Sequence, residues 1–112
     1  MDERTRRVGQ NEAVFRAVNE EIEGLSRGMA QVSDGMLHIV CECGDMDCVV
    51  QLTVPLTDYE RVRSEPALFL IRDGHELPDV EDVVERSSRF TVVRKRAGEA
   101  ESIARATDPR SS

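Results

Sequence analysis

The sequence predicts a small α+β fold in a single domain: an N-terminal helix packed on an antiparallel sheet that carries a metal knuckle. Three observations point there. Apolar residues recur at three- and four-residue spacing between Val14 and Leu25, short β-branched runs alternate with turn signals over the rest of the chain, and three cysteines fall within the eight residues from Cys41 to Cys48.

Residues 1–10 carry Arg4, Arg6 and Arg7 with little that is apolar, and read as a disordered arm. Asn11 is a good N-cap, Glu12 suits the positive end of a helix dipole, and Val14, Phe15, Val18, Ile22 and Leu25 share one face, which predicts an amphipathic helix over 11–27. Gly28, Ser33, Asp34 and Gly35 then loosen the chain before an apolar strand, Met36 to Cys41. Val49 to Val54 is a second strand that stops at Pro55, placed so that the two strands flank the cysteines as an antiparallel pair. Thr57-Asp58-Tyr59-Glu60 has the form of a capping box, opening a two-turn helix that must end before Pro66. Leu68 to Ile71 is a strand closed by the Asp73-Gly74 turn, with His75 directly after it. Between Leu77 and Val93 a hairpin is favoured over a helix started at Pro78; residues 97–106 form a short terminal helix and 107–112 a disordered tail. Residues 11–106 thus make up one zinc-binding α+β domain.

Cys41-Glu42-Cys43-Gly44-Asp45-Met46-Asp47-Cys48 is a C-x-C-x4-C arrangement. Thiolates this close repel one another, and a soft cation resolves the repulsion; structural zinc takes four ligands, so three cysteines leave one position to fill. Side chains alternate along a strand, so Cys41 and Cys43 share a face while His38 and Glu42 point to the other. His75, delivered by a turn, escapes that objection, and Asp45 and Asp47 are fallback oxygen ligands. The expected metal site is therefore Cys41, Cys43, Cys48 and His75 around one structural zinc ion, with an iron-sulfur cluster as the alternative and buried thiols or a disulfide as the bland readings.

The runs Asn11 to Glu20, Cys41-Glu42-Cys43-Gly44-Asp45 with Cys48, Tyr59 to Arg63, Gly74-His75-Glu76 and Val83 to Arg86 resemble a family of small uncharacterised actinobacterial proteins, over residues 11 to 96. That resemblance implies a CCCH metal site, favours His75 over His38, and brings no established activity.

With 22 acidic and 15 basic side chains the net charge is −7, which opposes binding to nucleic acid or an anionic membrane and moves protein partners up. Neither a signal peptide nor a membrane span is visible, and clustered cysteines suit a reducing compartment, so a cytoplasmic location is expected. The function expected is that of a noncatalytic zinc module acting through protein–protein interaction, regulatory in kind. One alternative is a nucleic-acid-binding or transcription accessory factor using the basic segment 86–96, which holds Arg86, Arg89, Arg94, Lys95 and Arg96. Another is a zinc- or thiol-dependent enzyme or redox switch, for which no acid–base pair or phosphate loop offers support.

Overall fold

The computed structural model describes residues 3–28 and 35–110. Its element order is α1 (Glu3–Gly28), β1 (Met36–Val40), β2 (Gln51–Pro55), α2 (Leu56–Arg63), β3 (Leu68–Ile71), β4 (Glu81–Arg86), β5 (Thr91–Lys95) and α3 (Glu99–Ala106). This is an α+β fold with its N-terminal helix on antiparallel sheets. The loosening expected at Ser33 and Asp34 lies outside the described residues.

β1 and β2 pair antiparallel with Ile39 opposite Leu52 and His38 opposite Thr53, so the alternation that buries Leu37, Ile39, Leu52 and Val54 leaves His38 outside. The second sheet has the order β3-β5-β4. Its central strand β5 is covered on both faces. Val92 joins Leu70, Tyr59, Val62 and the β1–β2 residues in one cluster, and Val93 joins Phe69, Ile71, Ala104, Cys41 and Cys43 in the other. The predicted 77–93 hairpin is β4–β5, with a bulge between Val83 and Glu85 that leaves Val84 exposed.

α2 starts one residue before the expected capping box. The Leu56 N–H is already taken by the Gly35 carbonyl at 2.8 Å, and the N-cap is Pro55 with no side-chain cap, so Thr57 caps nothing.

α1 departs most from expectation. It begins at Glu3 rather than at an Asn11 cap, because Val8 packs onto Gly44 and Arg4 pairs with Asp79; residues 3–10 are helix, not an arm. Asn11 lies inside the helix and donates to the Gly44 carbonyl at 2.9 Å. The face turned inward is polar: Glu12, Arg16, Asn19 and Glu23 are buried, while Val14, Val18 and Leu25 stand 49%, 41% and 65% exposed. Among the five apolar residues read as a core stripe, Ile22 packs against the core and Phe15 is half-buried.

Arg16, Asn19 and Glu12 on this buried face have specific partners, and Glu23 lies 3.7 Å from Arg110. Arg16 donates to the carbonyls of Pro66 (2.7 Å) and Ala104 (2.6 Å) and lies 4.4 Å over the Phe69 ring. Asn19 exchanges two hydrogen bonds with the Val40 backbone, at 2.8 and 2.9 Å, in place of a neighbouring strand. Lys95 Nζ sits 2.5 Å from both Glu12 and Glu81, all three buried. At the other end, Thr107 to Arg110 fold back rather than trail away. Arg110 reaches Glu20 (2.5 Å) and Glu60 (2.6 Å), while the Tyr59 hydroxyl donates to Glu20 at 2.7 Å.

Two carboxylates around one ammonium would bury a net negative charge. Burial pushes the Glu12 carboxyl up to about 8 against the attraction of Lys95, so Glu12 holds a proton at neutral pH. Between the ordinary carboxyl value of 4.5 and about 8 the folded chain binds one proton more than the unfolded chain, and stability falls as pH rises through that window. The melting temperature of the wild type should therefore drop between pH 6 and pH 9, and Glu12→Gln should flatten that slope. Parallel melting curves for the two proteins would contradict the assignment.

Candidate metal centre

Cys41 continues the β1–β2 ladder, its N–H donating to the Val50 carbonyl at 2.9 Å. One residue on, the Glu42 N–H donates to the Leu70 carbonyl of β3 at 2.8 Å, so the knuckle ties the two sheets together. The return from Cys43 to Cys48 is a tight turn. The Asp47 N–H donates to the Asp45 carboxylate (2.9 Å) and the Cys48 N–H to the Asp45 carbonyl (3.0 Å). Gly44 lies under α1, where an added Cβ would stand 2.6 Å from Val8, so only glycine lets the helix close on the knuckle.

His75 arrives on the Arg72–His75 turn, closed by a 3.0 Å bond from its own N–H to the Arg72 carbonyl. Gly74 takes φ +91° there, a conformation that side chains disfavour. Arg86 holds the turn from outside through Asp73 and Glu76.

These two loops bring the four expected ligands together: the donor atoms of Cys41, Cys43, Cys48 and His75 all lie within 4.8 Å of one another. His75 Nδ1 is 3.6 Å from Cys41 Sγ and 3.7 Å from Cys48 Sγ. A tetrahedral zinc site with bonds of about 2.3 Å to sulfur and about 2.0 Å to nitrogen has sulfur–nitrogen edges of about 3.5 Å, so the two His75–sulfur distances are close to those of one ion's shell. Cys41 and Cys43 are buried, and Cys48 and His75 are partly covered. His38 stands apart on the outer face, 3.2 Å from the Thr53 hydroxyl. Asp45 is engaged as a turn former, and Asp47 is exposed.

The thiols are unequal. A hydrogen bond from Cys41, helped by donors at Asp45 and His75, lowers Cys43, whereas that same bond and burial raise Cys41. The Arg72 N–H points at Cys41 Sγ at 3.2 Å. The knuckle thus favours negative charge on the Cys43 sulfur, the form a metal ion binds, while burial works against it at Cys41 and Cys48. Cys43 and His75 also border an open cleft of about 320 Å³ with Arg4, Val8 and Leu77 on its walls.

Sequence reasoning placed Glu42 away from the cysteines and went no further. Its carboxylate is fully buried, accepting from Asn19 of α1 (2.7 Å), Arg63 of α2 (3.4 Å) and the Leu70 N–H of β3 (3.0 Å). A charged residue between two cysteines in an apolar stretch was the available signal, since a carboxylate turned inward requires buried donors.

Comparison with known proteins adds no relative: no family model, no curated protein and no solved structure matches the chain. Among the described residues no helix is long and apolar enough to cross a membrane.

The two histidines give a direct check on the ligand set. His75→Ala should lower zinc affinity by at least about tenfold, the scale seen when a metal shell is disturbed, and His38→Ala should leave it unchanged. Competition titration against a chromogenic chelator measures both, and a loss confined to His38→Ala would contradict the geometry.

Proposed function

We propose that the chain is a noncatalytic zinc module, in which Cys41, Cys43, Cys48 and His75 hold one structural zinc ion and the folded surface serves a protein partner. The observation that carries this reading is the convergence of four donors, from two loops on two sheets, to within 4.8 Å of one another, with His75 Nδ1 at 3.6 and 3.7 Å from two of the sulfurs. A shell completed by four protein donors leaves no position for an activated water, which favours a structural over a catalytic ion. A cluster would spread its ligands over more than one iron, whereas these four donors all lie within 4.8 Å of one another. The resemblance to small actinobacterial proteins belongs to the same reading, because the cysteines and the Gly-His pair that carry it are the residues brought together here.

The nucleic-acid alternative loses support from the basic segment. Lys95 is buried between carboxylates, Arg86 pairs with Asp73 and Glu76, and Arg96 pairs with Asp82. Only Arg89 and Arg94 of the five keep their charge for an outside partner. An acidic chain with two such cations is a poor match for a polyphosphate. A cytoplasmic setting, where thiols stay reduced, fits the same proposal.

Elemental analysis of protein purified without chelators should find one zinc per chain. Cys43→Ser should lose that zinc and melt well below the wild type, since structural zinc supplies on the order of 10 kcal/mol in small domains. Iron in place of zinc, or a metal-free wild type with an unchanged melt, would contradict the proposal.

A further inference from the structure

The outward face of α1 is the least expected surface of the molecule. Directly opposite the buried Glu12, Arg16, Asn19 and Glu23, the helix presents Val14, Val18 and Leu25 to solvent. These share a stripe with Arg7 and Glu21, at the seven-, four- and three-residue spacings of a helix–helix seam. A stripe that serves the monomer has no reason to be apolar. The small residues Ala17 and Gly24 flank it, and an added Cβ at Gly24 would meet nothing, so a second backbone can approach closely. A shallow groove of about 430 Å³ runs beside Leu25, with Glu20 and Glu21 on its walls.

Charge decides what fits there. The first third of α1 is basic, with Arg4, Arg6 and Arg7, and the last third acidic, with Glu20, Glu21 and Glu23. Arg4, Arg6 and Glu20 have partners within the molecule, but Arg7 and Glu21 are exposed and make no ion pair among the described residues. A helix with this gradient is complementary to itself when turned end for end.

We propose that α1 docks against α1 of a second copy of this chain, antiparallel about a two-fold axis at Val14. In that register Val14 meets its own counterpart, Arg7 meets the partner's Glu21, and Val18 packs over the partner's Gln10. The partner's basic first turns enter the groove walled by Glu20 and Glu21. The contact lies on the far side of α1 from the cysteines, so it is independent of the metal proposal.

One helix pair is a small interface, so the association is weak and is read by sedimentation equilibrium from about 1 µM to about 1 mM. The wild type should show a monomer–dimer equilibrium. Arg7→Glu and Glu21→Arg, both at exposed positions, should each weaken self-association by about tenfold or more, because each sets two like-charged pairs in the dimer. An equimolar mixture of the two variants should dimerise again, since both cross-pairs are then opposite in charge. The double variant, with both reversals in one chain, should also recover dimerisation, and zinc content should stay at the wild-type value throughout. A wild type that is monomeric at every concentration would overturn the proposal and leave the stripe to a different protein. Dimerisation indifferent to both reversals, or a mixture that fails to recover it, would equally overturn it.

Discussion

At Cys41-Glu42-Cys43 successive side chains point to opposite sides of the chain, and both the thiol cluster and the docking of the helices follow from that. Two thiols on one side of the backbone face His75 and Cys48, and the one carboxylate between them faces inward to α1, α2 and β3. A buried carboxylate is tolerated only when its lone pairs are met, and Asn19, Arg63 and the Leu70 N–H meet them from three different elements. Placing the thiols therefore also places the helices. The same three residues give hydrogen bonds to both sheets, through Val50 on one side and Leu70 on the other, so the knuckle is the joint between them.

Around that joint the molecule is built with more polar interior than its size would suggest. Phe69 sits among three buried cations: Arg16 at 4.4 Å, Lys95 at 5.4 Å and Arg63 at 5.7 Å. These cations are met by the side chains of Glu81 and Glu42, by the protonated carboxyl of Glu12 and by backbone carbonyls. Such a core supplies specificity of packing more readily than stability, because desolvation offsets much of each ion pair. With no Trp and only three Phe in the chain, the apolar clusters are modest, and a metal ion tying two loops together is well placed to supply what they lack.

Most of the β-structure was legible from residue pattern. Met36 to Cys41 reads as a short apolar run and Val49 to Val54 as a β-branched one, β3 reads as four apolar residues before Asp73-Gly74, and the short β4–β5 hairpin follows its turn residues. The ligand set was legible for the same reason: C-x-C on a strand puts both thiols on one face, which excludes His38 and calls for a ligand from a later turn. α1 was not legible, and the reason is physical. Periodicity assigns the apolar stripe to the core, but here the interior surface offered to the helix is lined with the Val40 backbone, Glu42, Lys95 and the free carbonyls of Pro66 and Ala104, which select polar partners. Those groups come from sequence positions far from α1, so no local window around residues 11–27 contains the information. The order of residues 3–10 and 107–110 was not legible for a related reason, because what holds Val8 and Arg110 is contact with Gly44, Glu20 and Glu60.

The thiols that would hold a metal ion and the contacts that hold α1 lie on opposite sides of one short segment, so losing the ion should loosen α1. Hydrogen exchange on zinc-loaded protein, before and after removal of the metal by a chelator, tests this most directly. Amides of residues 11–19 should lose protection together with those of residues 40–43, because Asn11 and Asn19 bind the knuckle at Gly44, Val40 and Glu42. Loss of protection confined to the two ligand loops, with α1 exchanging as slowly as before, would contradict it.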